Sequence, residues 1–222
     1  MLQKNQKTEL AAALFSALGA EVPHQPELEK EAQALLERCG SRSVALKKVL
    51  ELCDPAQTPQ ALYLSAKACA WLGSGWREKN VEFAAGYLQG PPWAQLPAGP
   101  SLENGIRTNK TAAVRADLLR DMAQAELVLG RLSDAHSHYM EACRLEPYNA
   151  MNFIKAAEVV ERRSGREEAL RFLRGQRKSG WYAPVKYRDA AGRPCTNELF
   201  RELLNAHILK WEQKSGGEDE VP

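Results

Sequence analysis

Apolar positions recur along this chain at helical spacing. Leu10, Leu14 and Leu18, with Ala13 and Ala17, fall at i, i+3, i+4 and i+7 and predict an amphipathic helix over 7–18. Residues 10–20 also read somewhat like a secretory signal, but Glu9 abuts the run and the helical stripe is the better description. After a Pro-containing break at 22–26, a helix over 27–39 stops at Gly40, the residue suited to a left-handed helix end. Ser41 or Ser43 caps the next helix, which runs to Cys53 and ends before Pro55. Thr58-Pro59 opens a helix to Leu72, Gly73-Ser74-Gly75 breaks it, and another follows to about Leu88. Further helices are expected over 110–129, 133–145, 150–163, 166–178 and 196–214. The last has an apolar stripe of Leu199, Phe200, Leu203, Leu204, Ile208 and Trp211. Strand patterning is short and sparse, so the fold class is all-α.

Two stretches break the helical pattern. Residues 90–100 hold four of the twelve prolines, each without an N–H to give a helix. With 101–109 they predict a loop of about 20 residues, a length that is usually functional or flexible. Trp93 within it anchors the loop or meets a partner. Residues 179–194 are irregular, with Gly180, Pro184, Gly192 and Pro194, and the tail at 215–222 is expected to be disordered.

Internal periodicity is the strongest signal. In 116–149, Ala123 is followed by Gly130, Ala135, Tyr139, Ala142 and Pro147. The next 34 residues repeat the design with Phe153, Ala156, Ala157, Gly165, Ala169 and Leu173; Gln176 and Trp181 replace the second small residue and the proline. Weaker copies lie at 61–94 (Ala68, Gly75, Ala84, Tyr87, Pro92, with Asn80 where a small residue belongs) and 26–59 (Gly40, Ala45, Val49, Leu52). Small residues let paired helices approach, and no pair buries its apolar face alone, so neighbours stack.

This pattern resembles the tetratricopeptide repeat, a 34-residue helix–turn–helix unit. The resemblance implies a right-handed solenoid with N- and C-terminal capping helices. Its parts would be an N-terminal helix and linker (1–25), two divergent pairs (26–94), an insertion (95–115), two good repeats (116–183), an irregular segment with a capping helix (184–214), and the tail. It also implies a concave surface, lined by the first helix of each pair, that holds peptides or partner domains. By position the groove residues are Asp117, Arg120, Gln124, Leu127 and Val128, then Met151, Ile154, Glu158 and Arg162. Some members clamp a C-terminal carboxylate with Lys and Asn. Here Arg120 and Gln124 stand in those places and Lys155 replaces the next Asn, so that ligand is not expected.

Composition adds little until the charges are mapped. The 222 residues carry 30 Lys+Arg and 28 Asp+Glu, a net charge of +2. Between 162 and 193, however, ten basic residues face three acidic ones, +7 in all, which leaves −5 for the rest. Arg171, Arg174 and Lys178 share a helix face, Arg177 is nearby, and Trp181, Tyr182, Lys186, Tyr187 and Arg188 follow. Cations interleaved with aromatics can hold phosphates and stack bases. A nucleic-acid or acidic-protein partner is therefore the alternative to a peptide ligand, and a solvated helix face with packed aromatics is the plainer explanation.

Candidate chemistry is thin elsewhere. Five cysteines at 39, 53, 69, 143 and 195 form no C-x-x-C, and Cys69 and Cys143 fall on apolar faces. His136 and His138 lie about 200° apart around a helix and cannot share a ligand face. No phosphate-binding loop, nucleophile elbow or zinc-protease motif is present, and Glu167 and Glu168 sit where a helix start favours them. No metal or cofactor is expected, no run is apolar enough to span a membrane, and the chain reads as a cytoplasmic, non-catalytic interaction scaffold. An enzyme with its site in the 90–109 loop is a third, weaker reading.

Overall fold

The computed structural model describes residues 4–53, 58–90, 101–103, 106–108, 110–147, 149–178, 187–188, 194–195 and 197–215. Apart from two short ribbons and the turns that join the elements, these residues are helical. The chain divides into two units, Met1–Pro97 and Ala98–Pro222, each with its own internal packing. Among the described residues no helix is long and apolar enough to cross a membrane.

The first unit holds α1 (Lys4–Ala17), a 3-10 turn (Pro26–Leu28), α2 (Glu29–Cys39), α3 (Arg42–Cys53), α4 (Pro59–Leu72) and α5 (Arg77–Gln89). Its helix ends follow the local signals. Gly40 takes φ 66°, the left-handed value that a Cβ disfavours, and its N–H reaches the Glu37 carbonyl. Ser41 Oγ accepts from the Val44 N–H, and Thr58 Oγ1 accepts from the Ala61 N–H at 3.2 Å with Pro59 in the first helical turn.

Helix α1 differs from the expected stripe. Leu10 through Phe15 are all buried, six residues in succession, whereas Ala17 is exposed. A helix buried all round needs neighbours all round, and α1 packs against α2, α3 and α4. Ala11, Ala12 and Ala13 make this possible, because their small side chains let neighbouring axes come close. Phe15 meets Trp71 of α4 at 4.6 Å between ring centroids, and the Arg42 guanidinium of α3 covers the same Trp71 ring at 4.5 Å. Asn80 of α5 is almost fully buried and donates from Nδ2 to the Ala66 carbonyl at 2.8 Å. This bond gives a reason for an Asn at a position where the repeat pattern asks for a small residue.

The second unit opens with an antiparallel ribbon, β1 (Ser101–Glu103) and β2 (Ile106–Thr108), paired through Ser101 with Thr108 and Glu103 with Ile106. This corrects the expectation of a plain loop over 90–109. The residues between the strands are Asn104 and Gly105, the pair that best suits a tight hairpin turn. Residues 91–100, including Trp93, lie outside the described residues.

The remainder is α6 (Lys110–Val128), α7 (Leu132–Leu145), α8 (Ala150–Ser164), α9 (Arg166–Lys178), a second ribbon of β3 (Tyr187–Arg188) with β4 (Pro194–Cys195), and α10 (Asn197–Ser215). That ribbon lies where the chain was expected to be irregular. Successive helices pack in order, α6 on α7, α7 on α8, α8 on α9, and α10 against both α8 and α9. The small positions are at the contacts: Ala123, Ala135, Ala142, Ala156, Ala157 and Ala169 are buried. Ala123, Leu127, Ala135, Tyr139, Ala156 and Val159 form one cluster across α6, α7 and α8. A second cluster joins α8 and α9 to Phe200, Leu204, Ile208 and Trp211 of α10. Each such side chain contributes roughly 1.5–3 kcal/mol on burial, so this stripe holds α10 in place. Leu203, expected in the stripe, is exposed. The expected tail beyond Ser215 lies outside the described residues.

Candidate functional site

The sequence nominates one face of α6 and α8, and the structure divides it. Leu127 and Ile154 are buried in the two clusters just described, so their side chains are committed to packing, not presented to a ligand. Val128 and Met151 are exposed by 48% and 50%. Gln124 and Arg162 are exposed, and Asp117 and Glu158 are half-buried. Glu158 takes the Lys155 ammonium at 2.7 and 2.9 Å one turn away. Of the nominated residues, Val128 and Met151 thus expose apolar side chains, and Gln124 and Arg162 expose polar or charged ones.

Arg120 plays a different part from the one expected of it. Its guanidinium donates to Glu146 Oε2 at the end of α7, to Asp117 Oδ1 at 3.3 Å, and to Asn152 Oδ1 at 3.4 Å. Asn152, fully buried on α8, donates onward to the Ala142 carbonyl at 3.2 Å, and Asn149 donates to the same Glu146 oxygen at 3.3 Å. Burial opposes the charge on Arg120, but the carboxylates of Glu146 and Asp117 outweigh it and hold the guanidinium above its ordinary pKa. Arg120 therefore ties α6 to α7 and α8. Asp117 is a neighbour one turn away on α6, but Glu146 and Asn152 lie 26 and 32 residues away, outside any local motif.

A second polar link joins α6 and α7. Glu126 is buried, and its Oε2 lies 2.7 Å from His138 Nδ1. The hydrogen bond to Glu126 holds the His138 pKa above its ordinary value, helped by the charges of Glu126, Glu141 and Asp134. Tyr139 donates its hydroxyl to Gln124 Oε1 at 3.2 Å in the same seam. His136, two residues away, moves the other way: burial and the Arg163 charge lower its pKa.

The basic region also looks different once folded. Arg171 pairs with Glu167 and Glu168 on its own helix, Arg174 reaches Glu212 of α10, and Arg177 donates to Asn205 Oδ1 of α10 at 2.9 Å. Two of the three arginines thus tie α9 to α10. An anion would have to compete with these partners. Trp181, Lys186 and the side chains of Lys178 and Arg188 lie outside the described residues.

In the first unit a shallow cavity of about 430 Å³ opens between α1 and α2, lined by Ala13, Ala17, His24, Glu29, Lys30 and Gln33. His24 Nδ1 faces the Val22 carbonyl at 3.0 Å and Nε2 faces Glu29 Oε1 at 3.2 Å. Only a doubly protonated ring donates to both, and these contacts, the Val22 carbonyl foremost, raise its pKa. Cys53, Cys69 and Cys143 are buried thiols, each pushed up to about 12 mainly by burial. Among the described residues no group of three or more His, Cys, Asp or Glu side chains could hold a metal ion.

No family model, curated protein or solved structure matches this chain.

Proposed function

We propose that the chain is a non-catalytic scaffold of tetratricopeptide-like helix pairs that binds a peptide or partner domain on the face shared by α6 and α8. The observation that supports this is the exposure of Met151 and Val128 on helices whose other apolar side chains are buried or half-buried, with Gln124, Asp117, Glu158 and Arg162 on the same helices. An exposed apolar side chain among charges of both signs suits an amphipathic helix or strand as ligand. Nucleic acid is the less favoured partner, because Arg171, Arg174 and Arg177 are already held by acidic and amide groups. The free thiols of Cys39, Cys53, Cys69 and Cys143 fit a reducing, cytoplasmic setting.

The test is selection of ligands from a displayed random-peptide library against the full chain. Enriched peptides should lose affinity at least tenfold on Met151→Asp combined with Arg162→Glu, while the far-UV circular dichroism is unchanged. Both positions are exposed, so the substitutions leave the core intact. Failure to enrich any peptide, or peptides indifferent to the double substitution, would overturn the proposal. A heparin-column elution that moves with Arg171→Glu and Arg174→Glu, and not with the α8 substitutions, would instead support the anionic partner.

A further inference from the structure

The seam between α6 and α7 buries a carboxylate against a histidine. Glu126 is 3% exposed near the end of α6, and its Oε2 lies 2.7 Å from Nδ1 of His138, which is part-exposed on α7. A buried carboxylate is tolerated when a countercharge and a donor meet it, and here one ring supplies both. We propose that the Glu126–His138 pair is a pH-sensitive latch on the α6–α7 hairpin, closed when the ring is doubly protonated and loosened when it is neutral.

The surroundings favour the closed state. The charges acting on His138 are Glu126 from α6 and Glu141 and Asp134 from its own helix, all acidic. From α8, the other helix packed on α7, Arg163 acts on His136. A neutral His138 can still donate from Nδ1, so the hydrogen bond survives deprotonation. What is lost is the positive charge, which leaves the Glu126 carboxylate buried without its compensating partner.

The sign follows from the direction of the shift. The folded state holds the His138 proton more tightly than the unfolded chain does. The latch therefore contributes its full stability below the ordinary histidine value of about 6.5 and loses it as pH rises through the raised value. His136 has a lowered pKa and costs stability in the opposite direction, as pH falls. The two effects must be separated by making the measurements in a His136→Gln background.

The experiment follows the His138 ring by NMR in the full chain from pH 5 to 9, together with amide exchange across α6 and α7 corrected for the intrinsic pH dependence of exchange. The ring should titrate above 6.5, and protection in both helices should fall in a step at that midpoint. Glu126→Gln should return the ring toward 6.5 and abolish the step. His138→Gln, which keeps a donor but no charge, should show the loosened protection at every pH. A ring that titrates at or below 6.5, or a step that persists unchanged in Glu126→Gln, overturns the proposal. Should Glu126→Gln fail to fold, the titration of the parent chain and the His138→Gln profile decide it.

Discussion

Replacing Arg120 with Met removes the cation that Glu146 is folded against and keeps most of the side-chain volume. Arg120 is 26% exposed and Glu146 10%, so water reaches one edge of the pair and screens it only partly. Removing one partner of a fully buried ion pair costs about 3–5 kcal/mol. With the partial exposure of Arg120, about 2–3 kcal/mol is expected for Arg120→Met. Glu146→Gln, which leaves Arg120 with Asp117, should cost less, about 1–2 kcal/mol. The double variant removes both charges, and the Gln can still accept from Asn149. It should cost less than the sum, by about 1.5 kcal/mol or more. The assay is urea unfolding of the four proteins by far-UV circular dichroism, with amide exchange in α7 to place the loss in the second unit. An unchanged m-value would confirm that stability alone has moved. A coupling energy below about 0.5 kcal/mol, the usual limit of additivity for independent sites, would refute the reasoning that the pair is one cooperative link.

In the first unit, Asn80→Asp should destabilise by about 3–5 kcal/mol because it buries an unpaired charge, while Asn80→Ala should cost about 1–2 kcal/mol. Denaturant curves that reverse that order would show that the Asn80–Ala66 bond does not hold this position. Thr58→Ala should cost about 1 kcal/mol through loss of the α4 cap, and Thr58→Ser should cost almost nothing. Equal melting temperatures for all three proteins would show that the cap contributes nothing to stability. The thiols of Cys53, Cys69 and Cys143, held up to about 12 by burial, should resist alkylation at pH 8 until the chain unfolds, whereas the half-buried Cys39 should be modified in the native protein. Peptide mapping of briefly alkylated protein checks this, and early labelling of Cys143 would contradict its place in the α8–α10 cluster.

What was legible in the sequence was local. Helix boundaries came through because their causes lie within four residues of them: Thr58 with Pro59, Ser41 ahead of Val44, Gly40 after Cys39. The Ala and Tyr spacing of 116–149 correctly marked which side chains meet, since close helix contacts require small residues wherever they occur. The ribbon at 101–108 was hidden by the prolines before it, although Asn104-Gly105 was a usable sign. The candidate face was harder. Arg120 and Ile154 occupy positions that the repeat pattern assigns to a groove, but their environments come from Glu146, Asn152 and α10, which no local spacing reveals. The +7 segment likewise read as an open basic face because Glu212 and Asn205 lie 38 and 28 residues from the arginines they hold.

The burial of Leu10 through Phe15 on every side sets an order of events for a chain made from its N-terminus. Helix α1 is the first described helix to leave the ribosome, yet three of its neighbours, α2, α3 and α4, are synthesised after it, the last ending at Leu72. The apolar run Leu10–Phe15 begins to be covered as α2 and α3 emerge, and its burial is complete only when α4 has followed. At about 5–20 residues per second this interval lasts several seconds. Nascent-chain capture by a hydrophobic-segment chaperone should therefore peak before residue 72 has emerged and decline afterwards. For the same reason, a truncation that removes residues 4–17 would take away the centre of the first unit, not an ornament at its edge.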